Sequence, residues 1–115
     1  MTRDKRGTTQ RRRHNKLLKA AKGYRGLNSS LYSIAKRAVI KAGQHAYAHR
    51  KVKKRSFRAL WITRLNAACR MNGMSYSRFV YGLQKKMVAL DRKVMSDIAI
   101  RHPEIFKQLV DMARD

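Results

Sequence analysis

Apolar positions recur at helical spacing through the second half of the chain and thin out through the first. Phe57, Leu60, Trp61, Leu65 and Ala68 repeat every three or four residues and form one stripe. Tyr76, Phe79, Val80, Leu83 and Met87 follow at i, i+3, i+4, i+7 and i+11, behind Ser75 as a natural cap. Asp91 can cap a further helix carrying Val94 and Ile98. His102, Pro103 and Glu104 read as a cap, a proline at the first helical position and an acid in the first turn. Ile105, Phe106, Leu109, Val110 and Ala113 then face inward. Upstream, residues 8–22 predict a helix closed by Gly23 and Gly26. The cap-rich run Asn28, Ser29 and Ser30 opens another that reaches Met71 before Asn72 and Gly73 end it. Forty-odd helical residues span roughly 60 Å, more than so small a domain can cover, so much of this helix should project. Gly43 marks an expected bend within it, because glycine costs roughly 1 kcal/mol against alanine there. No segment alternates over strand length.

The expected fold is therefore all-α: a long basic amino-terminal helical extension followed by a small carboxy-terminal helical bundle. Residues 1–58 form the extension and residues 59–115 the globular domain. The apolar count agrees, with 20 such residues in the first segment, seven of them alanine, and 30 in the second. A domain of about 57 residues buries only roughly 60% of its unfolded surface, so it is marginal alone.

Charge changes the picture most. The 115 residues carry 29 Lys plus Arg against six Asp plus Glu, a net +23 with a pI near 11.5. Residues 1–58 hold +18 of that, with Asp4 as their one acid. A solvated helix face alternates signs to limit repulsion, whereas Arg11-Arg12-Arg13 and the block at residues 50–55 contain no acid. Self-repulsion on this scale opposes compaction unless a polyanion neutralises it. The balance disfavours a small-molecule enzyme. No apolar run approaches 18 residues, and residues 1–22, although Arg-rich and acid-poor like a transit peptide, lack the apolar core of a secretory signal.

Which polyanion follows from what accompanies the cations. No zipper follows the basic blocks, and no paired Cys/His pattern holds zinc. A helical arm bearing Tyr24, Tyr32 and Tyr47 suits folded RNA, where phosphates pair with the cations and unpaired bases stack on aromatic rings; packing along the helix explains the same tyrosines equally well. Gly23-Tyr24-Arg25-Gly26 has the form of a KH loop, but without strands it reads as a helix break. His45 and His49 have the spacing of a helical metal pair but no third ligand, and no metal or other cofactor is expected. Cys69 is the single cysteine, which excludes an intrachain disulfide; it reads as a small buried side chain. Asp91 and Asp97 read as capping and as pairing with Arg92 and Lys93. Trp61, Met71, Met74, Met87 and Met95 read as core filling. Nothing has the convergent set of an active site.

The motifs also carry a resemblance. Lys5-Arg6-Gly7, Arg13-His14 with Lys16, Leu18-Lys19 and Ala21-Lys22-Gly23-Tyr24 occur in order. Gln44, Ala46-Tyr47, Lys54-Arg55 and Phe57-Arg58 follow. The most specific stretch runs from Leu60-Trp61-Ile62-Thr63-Arg64-Leu65-Asn66-Ala67-Ala68 to Gly73 with Ser75-Tyr76-Ser77. Gly82-Leu83, Leu90-Asp91-Arg92-Lys93 and Asp97-Ile98-Ala99 complete it. Together these residues resemble the bacterial-type L-twenty family of large-subunit ribosomal proteins.

That resemblance implies a structural constituent of the large ribosomal subunit that binds its RNA directly, supports assembly and catalyses nothing. The extension would thread through RNA and the bundle would lie nearer the subunit surface. Expected neighbours are the ribosomal proteins L-thirteen and L-twenty-one, with no membrane and no stable homo-oligomer. Some bacterial members repress their own operon by binding messenger RNA, a secondary role the resemblance allows without requiring. The match begins at the first residues, which favours the cytoplasmic ribosome of a bacterium over an organelle ribosome. Asn28, Ser30 and Ser33 stand where relatives tend to carry arginine, Ala48-His49 replaces a usual Arg-Asp pair, and Asp4 is an unexpected acid beside Lys5. The residues expected to meet RNA are Arg3, Lys5, Arg6, Arg11, Arg12, Arg13, Lys16, Lys19, Lys22, Tyr24, Arg25, Lys36, Arg37, Arg50, Lys51, Lys53, Lys54, Arg55 and Arg58, with Arg64, Arg70, Arg92 and Lys93 from the second half. Remaining alternatives are a DNA-condensing protein that uses the same charges and an RNA-modifying enzyme.

Overall fold

A computed structural model describes residues 6–114. These residues are all-helical, with no strand among them, and divide into two compact units between Lys51 and Val52. The elements are α1 (Gly7–Ala20), a 3₁₀ turn (Gly26–Asn28), α2 (Tyr32–Met71), α3 (Tyr76–Lys85), α4 (Arg92–Arg101) and α5 (Pro103–Arg114). Helix α2 runs without interruption through Gly43.

The first unit is thinly packed. Its fully buried residues, among those described, are Ala21 and Ala35, and the ring of His14 stacks on Tyr32 with centroids 3.7 Å apart. Two glycines in the left-handed region, Gly23 (φ 87°) and Gly26 (φ 60°), turn the chain after α1. Helix α2 starts later than the run of cap residues suggests. Asn28 Nδ2 donates to the carbonyl of Arg25 at 3.0 Å, and Ser29 Oγ donates to that of Gly26 at 3.0 Å. Both side chains close the 3₁₀ turn instead of capping α2. The first α2 bond that reaches back past its start goes to the carbonyl of Leu31, from the amide of Ala35 at 2.8 Å.

The second unit has a core. Leu65 and Cys69 from α2, Phe79 and Leu83 from α3, Met95 from α4, and Phe106, Val110 and Ala113 from α5 form one buried cluster, with α5 packed against α3 and α4. Phe79 and Phe106 meet tilted, centroids 5.3 Å apart. Gly82 sits mid-helix despite its cost because α5 crosses there: a Cβ at this position would strike the backbone carbonyl of Ala113. The Cys69 thiol is fully buried, and desolvation pushes its pKa up to about 11.

The apolar stripes are shorter than their periodicity. On α2 only Leu65 is fully buried within the stripe; Phe57 and Leu60 are exposed and Trp61 is half-buried. Ile105 and Val94 are likewise exposed. Of the four methionines read as core, Met95 is buried and Met74 half-buried, whereas Met71 and Met87 are exposed. Met87 lies beyond the end of α3, and the reason is visible in two matching helix ends. After α2, the amides of Gly73 and Met74 donate to the carbonyls of Arg70 and Cys69, each at 3.0 Å. After α3, those of Met87 and Val88 donate to Gln84 and Leu83, also at 3.0 Å. Both are Schellman ends, with the left-handed residue Gly73 (φ 72°) in one and Met87 (φ 58°) in the other.

Ser75 and Asp91 take the expected N-cap positions with extended backbone, but neither side chain bonds its helix's free amides. Asp91 and Asp97 form no ion pair among the described residues, which corrects the expected pairing with Arg92 and Lys93.

Candidate nucleic-acid interface

Helix formation distributes the cations of the first unit around open surface. Arg11, Arg12, Arg13, Lys16 and Lys19 are exposed on α1, Arg6 is exposed at its start, and Lys22 and Arg25 are exposed in the turn that follows. Tyr24 is half-buried in that turn. Lys36 and Arg37 are exposed on the first turns of α2, and Arg50, Lys51, Lys53, Lys54, Arg55 and Arg58 are exposed farther along it. No residue from 43 to 60 is even half-buried, so the second basic block is solvated on every side of the helix. Arg64, Arg70 and Lys93 are exposed in the second unit, while Arg92 is half-buried. Arg3 and Lys5 lie outside the described residues, as does Asp4.

The three tyrosines of the first segment separate by environment. Tyr32 is half-buried with one face against His14. Tyr47 is exposed and dressed by cations: Lys51 Nζ lies 4.2 Å from its ring centroid and donates to its hydroxyl at 2.7 Å, with the Arg50 guanidinium 6.0 Å from the centroid. His45 and His49 stack with centroids 6.0 Å apart, and among the described residues no group of three or more His, Cys, Asp or Glu is placed to hold a metal.

Three clefts concentrate the charge. In the first unit, Arg6, Thr9, Gln10, Arg13, His14 and Tyr32 line about 650 Å³. In the second, Lys54, Arg55, Arg58, Trp61, Asp91 and Arg92 line about 370 Å³. The third, about 660 Å³ and also in the second unit, gathers Arg78, Lys85, Lys86 and Arg114 around Tyr81. Arg114 is held there by an Nη2 donation to the Asn72 carbonyl at 2.9 Å. The basic blocks of the sequence include none of these four cations. Their signal is nonetheless in the chain: Arg78, Tyr81 and Lys85 stand at i, i+3 and i+7, off the Phe79–Leu83 face that α3 buries.

Among the described residues, helices that expose this density of cation around open basic clefts define a polyanion-binding protein. The comparison with known families makes that specific: residues 3–109 match the model for ribosomal protein L20, and the chain belongs to that family. It is accordingly a structural protein of the large ribosomal subunit that binds ribosomal RNA. Among the described residues, no helix is long and apolar enough to cross a membrane.

Proposed function

We propose that this protein acts during assembly of the large subunit by threading its cationic segment, residues 1–58, between RNA strands that neutralise it. The exposed cations of α1 and of α2 up to Arg58 serve as phosphate contacts, and the second unit seats on RNA through Arg64, Arg70, Arg92 and Lys93. The observation that carries the reading is the mismatch in the first segment between charge and packing. Residues 1–58 hold +18, while their described part fully buries only Ala21 and Ala35. Such a segment gains its order from counter-charge rather than from a core. The bacterial-type motifs support a place in a bacterial ribosome, with the ribosomal proteins L-thirteen and L-twenty-one as neighbours.

The test is the salt dependence of binding to large-subunit RNA. With about ten phosphates neutralised, log affinity falls against log salt with a slope of about −7 to −9. A slope shallower than about −3 removes the mechanism. Competition by duplex DNA at equal phosphate should be weaker than by folded ribosomal RNA; equal competition would favour a DNA-condensing protein.

A further inference from the structure

Trp61 should be core by its spacing, yet it is half-buried and stands in a cationic cleft with the ring of Phe57 tilted against it, centroids 6.2 Å apart. The cleft holds about 370 Å³, the scale of one nucleobase with its sugar. Its lining is chemically mixed: Lys54, Arg55 and Arg58 come from α2, and Asp91 and Arg92 from the start of α4. A lone carboxylate among four cations would ordinarily be paired or would cap its helix. Asp91 does neither: it has no side-chain cap bond and no ion pair among the described residues. Arg92 is oriented by donation from its Nε to the Tyr76 hydroxyl at 3.2 Å, which leaves its terminal nitrogens for another acceptor.

We propose that this cleft is a pocket for a single unpaired guanine of bound RNA. Here the RNA-binding reading is taken as given and the ligand is named. The indole supplies a face for stacking, a contact every base can make. Discrimination comes from Asp91. An ionised carboxylate only accepts hydrogen bonds, and guanine alone among the four bases presents two adjacent donors, N1–H and the exocyclic N2–H₂, on one edge. Adenine and cytosine offer one amino donor beside a ring nitrogen acceptor, and uracil offers one N–H between two carbonyls, so each sets an acceptor against the carboxylate. Guanine O6, next to N1–H, is an acceptor for the free end of Arg92. Lys54, Arg55 and Arg58 then meet the flanking phosphates.

The experiment uses the full chain and four hairpin RNAs with identical stems, each carrying one bulged G, A, C or U. Affinity is read by anisotropy, and stacking by the emission of Trp61, the one tryptophan in the chain. The G bulge should bind about tenfold tighter than the other three and quench Trp61 most strongly. Asp91→Asn keeps a residue suited to the N-cap, and should lower the preference for G below about threefold without changing the melting temperature or the salt slope. Trp61→Leu should abolish it, and Trp61→Phe, which keeps an aromatic face, should restore most of it. Equal affinity for all four bulges with a steep salt slope overturns the pocket and leaves the RNA reading standing. A shallow slope overturns that reading instead. Full G preference in Asp91→Asn also overturns the pocket.

Discussion

In the second unit, Phe79 and Phe106 pack ring against ring inside a cluster that draws on four helices. In the first, helices of the same regularity carry exposed Ile40, Tyr47 and clustered arginines, and the described residues that are fully buried are two alanines. Secondary structure is thus a poor guide to what stabilises a helix. Isolated helices are marginal in water, and most helical stability in proteins comes from packing an apolar face. The bundle has such packing. The cationic unit has positive charge where a core would be, and its proposed stabilising partner is a polyanion.

The sharpest way to break this contrast is to delete one side chain from each unit. Phe79→Ala should cost about 3–5 kcal/mol in denaturant unfolding, because it empties the centre of the cluster. Ile40→Ala, a smaller apolar deletion at a half-exposed position of the first unit, should cost less than about 1 kcal/mol. Similar costs for the two would mean that the first unit holds a core of its own.

Alkaline pH should act on the bundle through Cys69. A buried thiol whose pKa is raised in the folded chain stabilises fully below its unfolded value. That contribution is lost as pH rises from about 9, where the unfolded thiol ionises, to about 11 in the folded chain. The loss approaches about 2 kcal/mol, and Cys69→Ala should flatten that part of the stability profile. A profile unchanged by the substitution would show that Cys69 is not held neutral by burial. The smallest effect concerns the paired helix ends. Met87→Gly gives α3 the residue that α2 already has at its end, and should raise stability by about 0.5–1 kcal/mol, read as an increased melting temperature. No increase would mean that Met87 adopts its positive φ without strain.

Much of this was legible from the chain. The all-helical class, the breaks at Gly23, Gly73 and Pro103, and the inward positions Leu65, Phe79, Leu83, Phe106 and Val110 all follow from periodicity and caps. What periodicity cannot tell is how far along a helix its partner reaches. Phe57, Leu60 and Trp61 continue the Leu65 stripe in register, but the bundle covers α2 only from Leu65 onward, so Trp61 passes from core filler to cleft wall. Met87 continued the α3 stripe in number only, because the Schellman turn after Lys85 takes it off the helix. Asn28 and Ser29 were cap residues of the right type that found a nearer use in a 3₁₀ turn. The cleft around Tyr81 is hard to read from the chain because its cations come from separate places, Arg78, the Lys85-Lys86 pair and Arg114, instead of one long run.

The most direct test is amide hydrogen exchange over the full chain, free and bound to large-subunit RNA. In the free protein, amides of α1 and of α2 up to Lys51 should exchange about a hundredfold faster or more than those around Phe79 and Val110, and should become protected on binding. First-unit amides that exchange as slowly as the bundle's without RNA, or that stay fast in the complex, would contradict the account.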